Sequence, residues 1–235
     1  MTAIPAAFEP PSLGKAWDLS VKHLVTFLVV AVAALVVGGI AYLVMLLLGL
    51  TSSFALQAVI GSGSSDGASL AFLIGQAVGW IGSLPFVMIW CLLLVLLSAI
   101  PAVYFSTGEE ITPAGAFKLL MQRPWHYIWA GIVFTVAVLV GSVLCYLPGL
   151  VVAFVGPVYI NKIFTTELGA IEALRASFNA VYGSEHRWAF IGIQILVGLV
   201  AGIAYSCSCG LLGFLAIPAA SFYIQNVAYR RGILS

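Results

Sequence analysis

The feature that most constrains this chain is a succession of long apolar stretches, such as the run from Ala189 to Tyr205. Several of these runs reach about 18 residues, the length with which a helix crosses the hydrocarbon core of a bilayer. Inside lipid every backbone group must be hydrogen-bonded within the protein, so a span is a helix or part of a closed barrel. Unbroken apolar runs lack the alternation of barrel strands. With 63% hydrophobic and 7% charged residues, the chain is therefore predicted to be an all-α polytopic membrane protein.

Short amphipathic helices are predicted to precede three of the spans. The first begins at Ser12, a residue type suited to an N-cap. The second covers 114–122 and follows Thr112 and Pro113, a helix-opening pair. The third covers Leu168–Tyr182. Its apolar residues recur at helical spacing: Ile171, Leu174, Phe178 and Val181.

Together, the short helices and apolar runs predict six transmembrane helices arranged as three hairpins in one transmembrane domain, residues 1–235. The hairpins cover roughly residues 12–106, 112–164 and 168–229. Each of these ranges begins with one of the amphipathic helices, which is followed by the two spans of the hairpin. The six spans are expected at residues 23–50, 84–106, 125–146, 150–164, 187–206 and 211–229.

The segment 51–83 does not fit the hairpin pattern closely. Residues 51–68 are rich in Ser and Gly and are predicted to form an exposed external loop. Residues 69–83 are apolar but contain several glycines and Trp80, which favours the membrane interface. They are predicted to form an interfacial or partly re-entrant helix. The alternative is one long second span that begins near Ala68.

Charge predicts the orientation. In the six-span layout all nine Lys and Arg residues fall at one side of the membrane. The positive-inside rule makes that side cytoplasmic, so both termini are predicted to be cytoplasmic. The first 21 residues contain no continuous apolar core of the signal-peptide type. The first span is therefore expected to act as an uncleaved insertion signal.

Matching positions in the hairpins indicate an internal repeat. Gly149 stands eight residues before Pro157, and Gly210 stands eight residues before Pro218. Regular self-similarity of this kind is typical of duplicated structural units. The repeat predicts that the two prolines occupy equivalent places in the second and third hairpins.

The C-terminal region also resembles a known group of membrane domains. The residues that carry the resemblance are Gly169–Phe178 (GAIEALRASF), Tyr182-Gly183, Trp188 and the closing Tyr229-Arg230-Arg231. This pattern looks like the membrane domain attached to some bacterial glycerophosphoryl diester phosphodiesterases, and it is similar to many stand-alone bacterial integral membrane proteins of unknown function. The resemblance implies a six-helix protein of the bacterial inner (plasma) membrane. It implies no phosphodiesterase activity, because no catalytic domain of that type accompanies the pattern in this sequence.

No catalytic constellation is predicted, so the chain is expected not to be an enzyme and to need no cofactor or metal. The pair Glu109-Glu110 is interpreted as solvated loop carboxylates. An enzyme would require carboxylates or histidines to converge at one cavity, and only Glu109, Glu185 and His186 are candidates. The histidines that open the odd-numbered spans are interpreted as interfacial anchors: His23, His126 and His186.

The cysteines divide into one within a span and three near the external ends of the hairpins. Cys91 is expected in the core. Cys145 could form a disulfide with Cys207 or Cys209 in an oxidising periplasm. Thiolate capture of copper(I) or zinc by the Cys207-x-Cys209 pair is the alternative.

Polar residues within the spans are candidates for a substrate cavity, namely Asn161, Gln194 and Gln225. Pro157 and Pro218 could mark broken helices at such a site. The competing interpretation is a packing kink repeated by duplication. No ionisable residue lies near the middle of a span, where a coupled transporter usually has one.

The preferred function is a non-enzymatic scaffold or accessory subunit of a membrane assembly, with lipid interaction as an accompanying expectation. The alternative is a transporter or channel for a small or lipidic substrate. Membrane lipids and other membrane-protein subunits are the expected partners, and no basic run indicates nucleic acid. Gly198-x-x-x-Gly202 predicts close helix packing within the bundle rather than between subunits. The surface expected to meet partners or lipids comprises Arg175, Phe178, Lys118 and Arg123.

Overall fold

The chain is helical throughout the part that the computed structural model describes, residues 9–60, 65–208 and 213–234. No strand occurs in these ranges. Short and long helices follow a regular order, in which each short helix precedes two longer ones. In chain order they are α1 (Leu13–Lys22), α2 (Leu24–Ile60), α3 (Ser65–Thr107), α4 (Pro113–Gln122), α5 (Pro124–Cys145), α6 (Leu147–Thr165), α7 (Ala170–Tyr182), α8 (Arg187–Cys207) and α9 (Gly213–Arg230).

Five of the described helices are long and apolar enough to cross a membrane: α2, α3, α5, α6 and α8. They expose large apolar side chains, for example Val143, which is 86% exposed. A soluble protein rarely presents so much apolar surface to water. The helices are compatible with a multi-pass membrane protein. The predicted sixth span, 211–229, corresponds to α9. This helix is not among the five, and residues 211 and 212 of the predicted span lie outside the described ranges.

Two compact units make up the chain, one of residues 1–30 and 95–235 and the other of residues 31–94. The second unit consists of the adjoining parts of α2 and α3. A Cβ atom added at Gly75 would lie 2.7 Å from the carbonyl oxygen of Gly49, and one added at Gly79 would meet the carbonyl oxygen of Met45. These glycines allow α2 and α3 to approach at backbone distance.

The segment 51–83 differs from the prediction of an external loop followed by an interfacial helix. α2 continues to Ile60, so the loop prediction is wrong for residues 51–60. α3 runs without a break from Ser65 to Thr107, as in the alternative of one long helix. Ser53 donates its hydroxyl proton to the Gly49 carbonyl at 2.7 Å, which satisfies the polar side chain within its own helix. The serine and glycine residues of this segment therefore allow two helices to pack closely and do not mark a loop.

Among the described residues of the first unit, buried side chains form two clusters. One joins α1 and α2 to α3 and α9 through the ring of Phe222. The other joins α6, α7, α8 and α9 with the C-terminal residues. The first comprises Ala16, Phe27, Ile100, Tyr104, Phe105 and Phe222, and the second Val155, Val158, Val181, Phe190, Val227, Ala228, Ile233 and Leu234.

A single residue, Tyr146, separates α5 from α6, whereas the spans predicted at 125–146 and 150–164 leave residues 147–149 as their connection. Tyr146 has a φ of 56°, and α6 already begins at Leu147. Gly149 of that expected connection instead packs on α5, since a Cβ atom at Gly141 would lie 2.7 Å from the Gly149 nitrogen. Glycine is needed there for close packing of the two helices.

The buried face of α7 is displaced from the predicted apolar stripe. Ala170, Ala173, Ser177 and Val181 are buried, whereas Ile171 is 66% exposed. The small side chains let α7 lie close to its neighbours, while a large apolar side chain faces outward.

Candidate functional site

Some of the polar residues of the interior form a closed hydrogen-bond network around Asn161 of α6. Its side-chain amide donates to Gln225 Oε1 at 3.2 Å and to the Tyr229 hydroxyl at 3.3 Å. Thr165 donates to Asn161 Oδ1 at 3.2 Å. Gln225 in turn donates to the carbonyl oxygen of Pro157 at 2.8 Å. The amide groups of Asn161 and Gln225 thus tie α6 to α9.

Gln194 lies apart from this network. It is 9% exposed and donates to the carbonyl oxygen of Phe154 at 3.1 Å. Phe154 lies in the turn before Pro157, next to Ala153, whose carbonyl is the one that the missing proline N–H leaves without a helical donor. A side chain from α8 thus bonds to the backbone of α6 close to this proline.

The predicted cavity residues are thus only partly brought together. Asn161 and Gln225 are bonded to each other, and Gln194 has a different partner. None of the three lines either of the cavities described next.

A groove of about 380 Å³ opens between α8, α9 and the start of α1. We call it the apolar groove. Alanines of α8 and α9 line it, and because their side chains are short, space remains between the two helices. Trp17 of α1 also lines the groove, and 43% of its surface is exposed. Its lining is Leu13, Trp17, Ile193, Leu196, Val197, Val200, Ala201, Ala204, Ala216, Ala219, Ala220 and Tyr223.

A smaller cavity of about 140 Å³, the polar pocket, lies on another face of α1. Tyr223 lines both cavities. The Lys15 amine and the Glu9 carboxylate form an ion pair in the polar pocket, and Asn226 donates to the Glu9 carbonyl at 3.3 Å. The lining is Glu9, Ser12, Lys15, Ala16, Leu19, Tyr104, Phe105, Phe222, Tyr223 and Asn226.

The residues predicted to meet partners or lipids have different surroundings. Lys118 and Arg175 are exposed. Arg123 pairs with Glu167 at 3.3 Å. Phe178 is partly buried, because its ring packs on the core of the first unit and stacks on Tyr182 with centroids 5.8 Å apart.

His23 is buried, unlike an interfacial anchor, with 2% of its surface exposed. Its Nε2 atom accepts a hydrogen bond from the Ile111 N–H at 3.3 Å, so Nδ1 carries the proton that is donated to the Leu19 carbonyl at 2.9 Å. The ring also lies against the rings of Tyr104 and Phe222, with centroids 5.3 and 5.4 Å away. In the sequence, the one indication of this buried, hydrogen-bonding role is the position of His23 between the first short helix and the first apolar run.

The candidate catalytic residues do not meet. Glu109, Glu185 and His186 are exposed, and in the described part of the chain no hydrogen bond or ion pair joins them. Glu110 pairs with Lys22. No group of three or more His, Cys, Asp or Glu side chains that could hold a metal ion occurs within residues 9–60, 65–208 and 213–234.

Only part of the cysteine prediction falls within the described residues. Cys207 is a free, exposed thiol. Cys209 and the side chain of Cys145 lie outside the described part, and so does any pairing between them. Cys91 is free and exposed, contrary to the expected core position.

The glycine motif of α8 faces away from the other helices. Nothing lies within 4 Å of a Cβ atom added at Gly198 or Gly202. The prediction that this motif packs within the bundle is therefore wrong for the described structure.

Comparison with known proteins yields no match to a family model, to a curated protein or to a solved structure.

Proposed function

We propose that this chain is a six-span protein of the bacterial inner membrane that serves as a scaffold or accessory subunit. Enzymatic activity is not part of the proposal. The observation that carries it is the closed polar network: Asn161 and Gln225 bond to each other and to neighbouring helices. A transport site would need such groups directed into a cavity.

The six-span arrangement is supported by the order of the helices. Each short helix, α1, α4 or α7, precedes two longer ones. In this proposal α9 pairs with α8 as the last hairpin, in spite of its polar side chains, because Asn226 and Gln225 are buried against protein. Polar residues within a membrane are tolerated on such inward faces.

The orientation is supported by the distribution of basic residues. The connections at 61–64, 146 and 208–212 contain no Lys or Arg, whereas basic residues occur beside the starts of α2, α5 and α8 and at both chain ends. The positive-inside rule then places both termini in the cytoplasm. The same layout puts Trp125 and Trp188, which are 77% and 72% exposed, at the headgroup level that tryptophan favours.

A partner subunit is supported by the surfaces that the chain leaves open. The exposed Arg175 of α7 lies beside the outward-facing Ile171, so a cation and a large apolar side chain are presented together. The expected contact is with another membrane-protein subunit at the cytoplasmic interface. The resemblance to the bacterial membrane domains noted above agrees with this setting.

The alternative, transport of a lipidic substrate, is favoured by the apolar groove. A carrier would have to move its ligand across the bilayer, whereas a scaffold would hold it at one place. The two functions are therefore separable by flux measurements.

The test is purification from bacterial membranes in mild detergent with the mass of the complex measured. The wild type should form a complex of fixed stoichiometry with a second membrane protein. Arg175→Glu should insert normally but lose that subunit. Arg231→Glu, which makes the same charge change on the same proposed side, should retain it. A wild-type monomer that accelerates exchange of labelled phospholipid between leaflets of proteoliposomes would overturn the scaffold proposal in favour of the carrier.

A further inference from the structure

We propose that the apolar groove and the polar pocket together bind one phospholipid with a zwitterionic headgroup, its acyl chain in the groove and its phosphate at Lys15. This inference does not depend on the scaffold role, since either a scaffold or a carrier could hold such a lipid.

The groove has the chemistry of an acyl-chain site. Its lining is apolar except for the Tyr223 hydroxyl and the Trp17 indole N–H, and both long helices contribute alanines, among them Ala204 of α8 and Ala219 of α9. These short side chains leave space that a bulkier residue would fill. An acyl chain placed there gains van der Waals contact with both helices and with α1, and such packing is what favours association within a membrane.

The polar pocket has the chemistry of a headgroup site. Lys15 and Glu9 present one positive and one negative charge side by side, and their side chains are 46% and 36% exposed. Phosphate and ammonium groups of a zwitterionic headgroup match these two charges, whereas a singly anionic headgroup would meet the Glu9 carboxylate unfavourably. The Ser12 hydroxyl makes no capping hydrogen bond to α1 and can donate to a phosphate oxygen.

The two cavities meet at Tyr223 and at α1, so an apolar site and a charged site lie next to each other. Tyr223 lines both, and α1 presents Leu13 and Trp17 to the groove but Ser12 and Lys15 to the pocket. Tryptophan favours the depth at which headgroups meet acyl chains. A transmembrane helix of a partner could fill the groove, but charged side chains are rare within such helices, so it would leave the Lys15–Glu9 pair unmatched. A phospholipid supplies both parts in one molecule.

The test is native mass spectrometry of the full chain in detergent with dioleoyl phosphatidylethanolamine or dioleoyl phosphatidylglycerol added. The wild type should hold one phosphatidylethanolamine more tightly than phosphatidylglycerol. Ala204→Phe, which fills the groove, should abolish this binding. Leu199→Phe adds the same ring to an exposed position of α8 outside the groove and should leave it unchanged. Circular dichroism and the melting temperature establish that both variants fold.

Lys15→Met retains most of the aliphatic stem and removes the charge. Loss of a charge-assisted hydrogen bond corresponds to an affinity decrease of roughly tenfold or more. Lys162→Met, on α6, is the matched control, because Lys162 lines neither cavity, and it should have no effect. The proposal is overturned if the folded wild type holds no lipid, if Ala204→Phe binds as the wild type does, if Lys15→Met and Lys162→Met behave alike, or if phosphatidylglycerol binds better. None of these results bears on whether a partner subunit is lost from Arg175→Glu.

Discussion

The Nε2 atom of buried His23 accepts a hydrogen bond from the backbone N–H of Ile111, 88 positions later in the chain, at 3.3 Å. Thr26 holds the other backbone group of the same residue, because its hydroxyl donates to the Ile111 carbonyl at 2.8 Å. Two side chains at the junction of α1 and α2 thus satisfy both backbone polar groups of Ile111, which lies in the connection between α3 and α4. These two hydrogen bonds hold the non-helical segment that leads into α4 in place.

Thr26→Val should destabilise the protein, because it retains the side-chain shape but leaves the partly buried Ile111 carbonyl without its donor. An unsatisfied group of this kind costs about 1–3 kcal/mol. Thermal unfolding in detergent measures the change. Thr51→Val is the control: the Thr51 hydroxyl donates only within its own helix at an exposed site, 2.6 Å from the Leu47 carbonyl. Equal melting temperatures for the two variants would contradict the prediction.

The bond between Asn161 and Gln225 should appear as a coupling energy. Asn161→Leu and Gln225→Leu each remove one partner and should cost about 1–3 kcal/mol. The double variant should cost less than the sum by about 0.5 kcal/mol or more, because the shared bond is lost only once. Gln194 shares no partner with Asn161, so Asn161→Leu combined with Gln194→Leu should be additive within about 0.5 kcal/mol. Additivity of the Asn161–Gln225 pair would argue against the network.

Local sequence signals predicted the short helices and several of their ends. Thr112 caps α4 by accepting from the Gly115 N–H at 3.2 Å, and α4 ends at Gln122 as predicted. The next helix begins at Pro124, one residue before the predicted span, since the fixed φ of proline suits a first helical position. Such ends depend on neighbouring residues alone. The apolar runs likewise predicted a multi-pass helical protein, because length and hydropathy are properties of one segment.

Packing between distant segments could not be predicted in the same way. Gly75 and Gly79 belong to the segment predicted as an interfacial or partly re-entrant helix, yet they lie inside a continuous helix against α2. The buried place of His23 depends on Ile111, and the two cavities depend on where α1 meets α9. Asn161, Gln194 and Gln225 could be recognised as unusual polar residues, but which of them meet is decided by helix rotation.

Gly79→Leu should disrupt the contact of α2 with α3 in the second unit. A side chain at this position would collide with the carbonyl oxygen of Met45, which is backbone and cannot move aside cheaply. Overpacking of a close contact costs about 1–3 kcal/mol or more. Gly39→Leu is the matched control, since nothing lies within 4 Å of an added Cβ atom there. Thermal unfolding and proteolysis within residues 31–94 compare the variants, and equal resistance to protease would count against this interface.

The Tyr182 hydroxyl should lose its proton at a higher pH than the hydroxyl of an ordinary tyrosine does. Its hydroxyl donates to the Val151 carbonyl at 2.7 Å, and partial burial raises the pKa above the usual 10.0. The absorbance of ionised tyrosine is measured at 295 nm during a pH titration of the wild type and of Tyr182→Phe. The difference between the two titration curves gives the ionisation of Tyr182. Because the folded pKa is raised, the stability that the hydroxyl contributes is complete below pH 10.0 and is lost as the pH rises through the folded pKa. A difference titration centred at or below 10.0 would contradict the bond.

Gly232→Ala should loosen the C-terminal end of α9. Gly232 has a φ of +66°, and the Ile233 N–H donates to the Ala228 carbonyl at 3.0 Å, a Schellman arrangement that directs Ile233 and Leu234 into the core of the first unit. An alanine in the left-handed region costs about 1–2 kcal/mol. Gly192→Ala provides a contrast of opposite sign: Gly192 lies within α8 with open space around it, where alanine favours the helix by about 1 kcal/mol. Melting temperatures in detergent should therefore fall for the first variant and hold or rise for the second. If both rose, the left-handed turn would not be what holds Ile233 and Leu234 in the core.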